Sequence, residues 1–159
     1  MDDSNLKHIK LEQQKLRINK LGFNRNYIDE IIPNLFLGDL HGALDNKNNF
    51  DLIINMSQHK YSTNAMIYDI NIDDDPSVNI RPYLNQLIPL IEEALKENKK
   101  VLVHCLMGKS RSASVILAYL IKNNNMTFEN AFNFVNTKRK FPIEPNIGFV
   151  YQLKKYQTN

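Results

Sequence analysis

With 159 residues, 43% of them hydrophobic, the chain has enough apolar material for one well-buried core and too little length for two ordinary domains. A formal charge of +3 is too small to argue by itself for a nucleic-acid partner, so any preference for anions has to come from a local cluster. The single cysteine excludes an intramolecular disulfide, residues 1–20 lack the apolar core of a secretory signal, and the longest apolar run, 115–121, is far short of a bilayer span. Together these predict a cytoplasmic protein in a reducing compartment, with a nuclear or virion location equally compatible, and no membrane partner.

Residues 5–21 are rich in helix formers, with Leu6, Ile9, Leu16 and Leu21 on one side of a helical wheel and Leu11 and Ile18 on another. They predict a weakly amphipathic helix, ended by Gly22, that either packs loosely on the domain or contributes to a homodimer. Residues 27–32 and 35–37 read as short strands around the turn Pro33-Asn34, and 51–56 as a buried strand. Another strand, 67–72, runs into Asp73-Asp74-Asp75-Pro76, where carboxylates and proline stop the ladder. Residues 80–98 carry Ile80, Leu84, Leu87, Ile88, Ile91 and Leu95 along one helical face. A fully apolar strand over 101–104 is followed by a buried helix over 112–122, then by helices over 127–138, opened by the capping residue Thr127, and 146–156. Strands alternating with helices predict an α/β domain whose central sheet is covered on both faces.

The segment VLVHCLMGKSRSAS, 101–114, concentrates the chemistry. A strand ending at Cys105 and a helix beginning near Arg111 leave a short connection made of Leu106, Met107, Gly108, Lys109 and Ser110. If it curls around a point, its N–H groups converge there, and the positive end of the following helix dipole is aimed at the same place. Gly108 supplies the backbone freedom such a loop needs, and Arg111 offers a planar fork matched to a phosphate. At the bottom of this electropositive cradle Cys105 should be a thiolate at neutral pH, poised to attack phosphorus. The hydroxyls of Ser110 and Ser112 can reach the sulfur or the loop, and Ser112 could stabilise the sulfur as it departs again. The plainer alternative is a buried structural cysteine followed by a basic turn; the joint spacing of His104, Cys105, Gly108, Arg111 and Ser112 argues against it.

The pattern H-C-x-x-G-x-x-R-S resembles the signature of the cysteine-dependent protein phosphatases, and its surroundings resemble the small, atypical dual-specificity branch, similar in size and layout to poxvirus members. IIPNLFLGD is similar to that branch's first strand pair, SASVILAYLI to its post-loop helix and EPNIGFVYQLKKY to its closing helix, so that the resemblance covers about 27–156. Met107 stands where alanine is commonest. The resemblance implies a mixed, mostly parallel sheet of the protein tyrosine phosphatase type, with residues 1–22 a helical extension and 23–159 the catalytic domain. It also implies a general acid on a separate upstream loop. Among Asp73, Asp74 and Asp75, the pattern I-x-[VI]-x-D set by Ile70 and Ile72 selects Asp74, with Asp75 next. His104 is implied to face away from the phosphate and orient the cysteine region, and Asn146 to brace the phosphate loop. No cofactor and no metal is expected, since His8, His41 and His59 lie in separate segments without ligand spacing.

By the same resemblance the substrates are proteins phosphorylated on tyrosine and on serine or threonine, cleaved through a cysteinyl-phosphate. Lys109 and the run Lys138-Arg139-Lys140 either add positive charge at the pocket rim, which would favour substrates with two phosphates or polyanionic flanks, or are solvated helix ends. An RNA 5′-phosphatase is disfavoured by Leu106, Met107 and Ala113, so no nucleic-acid partner is expected. A phosphoinositide phosphatase is disfavoured by a loop with only one of two expected lysines. A non-catalytic phosphoprotein-binding module typically lacks the cysteine, arginine or acid, all three of which are intact. In the poxvirus members the N-terminal helix is exchanged between dimer partners, and residues 1–21 are expected to do the same by analogy.

Overall fold

The computed structural model describes residues 27–156 without a break and a scatter of positions between 3 and 13, all of them helical. The N-terminal helix is thus seen in part, with Leu6 and Ile9 exposed; residues 14–26, including Gly22 and the boundary after it, lie outside the described residues.

Five strands form one sheet in the order β1-β2-β5-β3-β4: β1 (Ile28–Ile32), β2 (Leu35–Gly38), β3 (Leu52–Asn55), β4 (Met66–Asp69) and β5 (Val101–His104). Only the β1–β2 hairpin is antiparallel, its turn made at Asn34, which adopts the left-handed conformation that asparagine tolerates. The other three pairings are parallel, giving the mixed, mostly parallel sheet expected. Both central strands, β3 and β5, are buried on both faces, which is why they read as continuous apolar runs rather than alternating ones.

Side-chain alternation divides the interior. Leu35, Leu37, Leu52, Ile54, Val101 and Val103 point to the larger core, shared with four helices: α2 (Arg81–Lys96), α3 (Arg111–Asn123), α4 (Phe128–Lys138) and α5 (Ile147–Tyr156). Ile53 and Leu102 point to the opposite face, where α1 (Leu40–Asn46), a 3₁₀ turn (Lys47–Asn49) and Phe50 cover them. Both faces are covered, but unequally. Every residue from 112 to 121 of α3 is buried, because the helix packs on β5 and β2 and is enclosed by α2, α4 and α5.

Two features depart from the sequence expectation. Helix α1 was not anticipated; it is only seven residues long, too short for a clear period, and is fixed by Asp39, whose Oδ1 accepts the Gly42 N–H at 2.7 Å. The strand expected over 67–72 ends at Asp69. Ile70 still donates to Asn55 O, but Ile72 N–H turns back onto Ile70 O, so the ladder stops while both isoleucines stay buried.

Register places Gly38, His104, Asn55 and Asp69 in one row across β2, β5, β3 and β4. The parallel strands therefore end together, and the loops that leave them meet at the carboxyl edge of the sheet, where open α/β sheets form their binding crevices.

Candidate active site

Cys105 leaves the end of β5 with a side chain that is almost wholly enclosed, and its Sγ lies 3.0 Å from Ser112 Oγ in the first turn of α3. Between them the chain makes a tight loop, four of whose carbonyls are taken by the surrounding framework. Leu106 O accepts Leu40 N–H, Lys109 O accepts Glu144 N–H, and Ser110 O accepts both the N–H and the hydroxyl of Ser114. Gly108 O accepts Arg139 Nη2 at 3.0 Å. In a trans peptide the following N–H points opposite to the carbonyl, so these bonds turn the N–H groups of Met107, Lys109, Ser110 and Arg111 toward the interior of the loop. With the N-terminus of α3 behind it, this is an anion cradle around a thiol. Gly108 is required twice over. Its φ is +69°, and a Cβ there would come within 2.7 Å of Gly38 O and 2.8 Å of Arg139 Nη2.

Arg139 is neither a rim charge nor a solvated helix end. Its side chain is 2% exposed, and Nη1 donates to Asp29 Oδ2 at 3.0 Å and to Leu37 O at 2.9 Å. One guanidinium thus ties β1, β2 and the underside of the phosphate loop together. A basic triplet gave no sign of this, because the pattern of a solvated surface and of a buried clamp flanked by two surface lysines is the same in sequence.

Arg111 opens α3, with Nη1 3.3 Å from Ile72 O and a buried Nε that meets no acceptor. The three successive acids of the preceding loop go to three different partners. Asp73 Oδ1 accepts Gln58 Nε2 at 2.9 Å. Asp75 turns to the N–H and hydroxyl of Ser77, whose bonds hold its carboxyl below the usual range. Asp74 Oδ1 accepts Ser110 Oγ at 2.6 Å and Asn146 Nδ2 at 2.8 Å, which brings it alone of the three to the phosphate loop. Asp74, Cys105, Leu106, Met107, Lys109, Ser110, Arg111 and Glu144 line one cavity of about 350 Å³.

The acid loop is held by two sequence-distant elements. From the β3 side, Gln58 Nε2 reaches Asn71 Oδ1, Ile72 O and Asp73 Oδ1 at 2.9–3.0 Å, from a left-handed backbone (φ 68°) that is costly for a non-glycine residue. From the other side, α5 packs Gly148 so tightly on Pro76 that a Cβ would collide with its backbone, while Gln152 bonds Ile80 N–H and Val78 O. Asn146, at the start of α5, joins the two loops: its N–H goes to Ser110 Oγ and its side chain to Asp74.

His104 is fully enclosed on the opposite face from the cradle, and burial pushes its pKa down to about 4. Its neutral ring has one donor. Nδ1 lies 3.2 Å from Cys105 O, which can only accept, so Nε2 accepts the Tyr61 hydroxyl at 2.6 Å. Burial raises the Tyr61 pKa and keeps that proton in place. Tyr61 sits in the irregular stretch between β3 and β4, where no periodicity marks a partner for His104.

An anion cradle built around a thiol is the arrangement of cysteine-dependent phosphatases, and comparison with known proteins narrows the class. The chain belongs to the dual specificity phosphatase family, whose catalytic-domain model matches residues 35–159. It is 37% identical over 129 residues to a protein of Invertebrate iridescent virus 6 that carries the provisional name tyrosine phosphatase 123R, covering 80% of this chain and 90% of that one. It is 35% identical over 140 residues to dual specificity protein phosphatase MPK-4 of Drosophila melanogaster, covering 82% of this chain but only 36% of that much longer one. The structure of human DUSP28 superimposes with a TM-score of 0.74 at 29% identity, over 82% of this chain and 93% of that one. The protein is a phosphatase of the dual-specificity kind. Among the described residues, no helix is long and apolar enough to cross a membrane.

Proposed function

We propose that the chain hydrolyses phosphotyrosine and phosphoserine or phosphothreonine in proteins, with Cys105, Arg111, Asp74 and Ser112 in direct roles. The reading is carried by one observation: a thiol, a guanidinium and a carboxylate from two separate loops line a single cavity. The Cys105 thiolate attacks phosphorus while Arg111 and the N–H groups of residues 106–111 hold the phosphoryl oxygens. The bond from phosphorus to the substrate oxygen breaks as Asp74 donates its proton to that oxygen. Asp74, now a carboxylate, takes a proton from water as the water attacks phosphorus, and the S–P bond breaks. Ser112 donates its hydroxyl to the departing sulfur across the 3.0 Å contact. His104 and Asn146 position these groups and do not touch the reacting atoms.

Phosphate release from para-nitrophenyl phosphate and from doubly phosphorylated peptides tests the assignment. Turnover by the wild type and its loss in Cys105→Ser support it; an inactive wild type overturns it, and preferential hydrolysis of inositol lipids or 5′-triphosphorylated RNA reassigns the substrate. On the separate analogy with poxvirus members, residues 1–21 pair two copies rather than packing loosely on their own domain. Light scattering should find a dimer for the full chain and a monomer for a chain beginning at Gly22.

A further inference from the structure

The cradle meets the phosphate itself, so the protein segment that carries it is chosen at the rim. There the charge differs from what a basic triplet beside the pocket suggests. Lys138 lies over the Phe134 ring at 5.6 Å, Lys140 over the Tyr27 ring at 5.0 Å, and Arg139 is buried beneath the loop. The flanking segment instead contributes Glu144, which is exposed and lines the same cavity as Cys105 and Lys109. Its carboxylate has no ion pair or hydrogen bond among the described residues, yet its backbone cannot drift. Its N–H is fastened to Lys109 O at 2.9 Å, and the neighbouring Ile143 and Asn146 are pinned by Asn136 and Ser110.

We infer that Glu144 is a specificity-determining residue, which selects phosphorylated segments bearing an arginine or lysine beside the phosphorylated residue and disfavours a carboxylate or second phosphate there. The inference rests on the phosphatase reading above and deepens it. Lys109 belongs to the phosphate loop, so its charge adds to the attraction for the phosphate under attack. Glu144 comes from a neighbouring segment and flanks that phosphate, where the side chains next to it in the substrate emerge. A cation placed there pairs with an otherwise unneutralised carboxylate, and an anion is repelled by it.

The test compares wild type, Glu144→Gln and Glu144→Lys on phosphotyrosine peptides of one sequence whose adjacent positions carry Arg, Ser, Glu or phosphothreonine. Para-nitrophenyl phosphate, which has no flanks, reports whether each variant is folded and active. In the wild type kcat/KM should fall from Arg through Ser to Glu and phosphothreonine by about two- to five-fold per step, the scale of exposed charge pairs, and the spread should shrink at high salt. Glu144→Gln should level the series and Glu144→Lys invert it. An unchanged order in Glu144→Lys, or a wild type that prefers the doubly phosphorylated peptide, overturns the inference. If Glu144→Lys fails to fold, Glu144→Gln and the salt dependence still decide. Turnover of para-nitrophenyl phosphate with no ranking among the peptides sinks this inference alone, whereas no turnover of any substrate sinks the phosphatase reading.

Discussion

The two loops that meet at the cavity are built differently. The phosphate loop sits on the core: it joins the fully buried β5 to the buried α3, and its carbonyls are tied to α1, α3, Arg139 and the segment before α5. The acid loop is a surface structure. Asp73, Asp74 and Asp75 are all exposed, and their contacts are polar groups that water can replace. On the proposed roles, binding geometry is made part of the fold, while proton delivery hangs on a few hydrogen bonds at its edge. Damage to the first should appear as lost stability, and damage to the second as lost rate in a stable protein.

The sharpest way to break this contrast is Arg139→Ala. Removing one partner of a buried pair leaves Asp29 without its partner in the guanidinium clamp and should cost about 3–5 kcal/mol, read by urea unfolding, with turnover lost alongside. A variant of wild-type stability would mean that the loop does not depend on the core. Asp74→Ala should leave unfolding almost unchanged but lower kcat by about 10²–10⁴-fold on substrates with poor leaving groups, and flatten the limb of the pH–rate profile that reports the acid. If Asp75→Ala is the crippling change instead, the acid has been misassigned, whatever its contact with Ser110.

Acid should expose the fold-borne side through His104. Its folded pKa of about 4 lies below the ordinary imidazole value of 6.5, so the unfolded chain takes up the proton first as pH falls. The stability contributed by the neutral, buried ring is complete above pH 6.5, declines between 6.5 and 4, and totals roughly 3 kcal/mol. Unfolding followed from pH 7 to 5 should show that decline, and His104→Gln should remove it. The smallest expected effect is that of Gln58→Ala: kcat lower by about five-fold, the scale of one net hydrogen bond, with KM unchanged and a steeper dependence on the leaving group. A change in KM instead would place Gln58 in binding rather than in holding the acid loop.

Much of this was legible from residues 101–114, because a buried strand, a glycine, an arginine and a helix start at fixed spacing can hardly be arranged otherwise around an anion. The choice of Asp74 followed from Ile70 and Ile72, which are buried as a register marker should be, although the strand expected to contain them ends before either. What stayed hidden depends on contacts between segments far apart in sequence. Tyr61 meets His104 across 43 residues and Arg139 meets Asp29 across 110. No local period announces either pairing. The burial of Arg139 stayed hidden for the same reason, since it stands between two exposed lysines in a triplet that looks uniformly solvated in sequence.

The tight seat of Gly148 on Pro76 also bears on when the protein becomes an enzyme. Synthesis proceeds from the N-terminus, and the strand, loop and helix around Cys105 leave the ribosome well before α5 does. Until that helix docks, residues 76–80 lack the contacts of Gly148 and Gln152, and Asp74 lacks the Asn146 amide. A nascent chain can thus have formed the strand and helix around Cys105 while the carboxylate proposed as the proton donor still lacks one of its two partners, so turnover waits on the docking of α5.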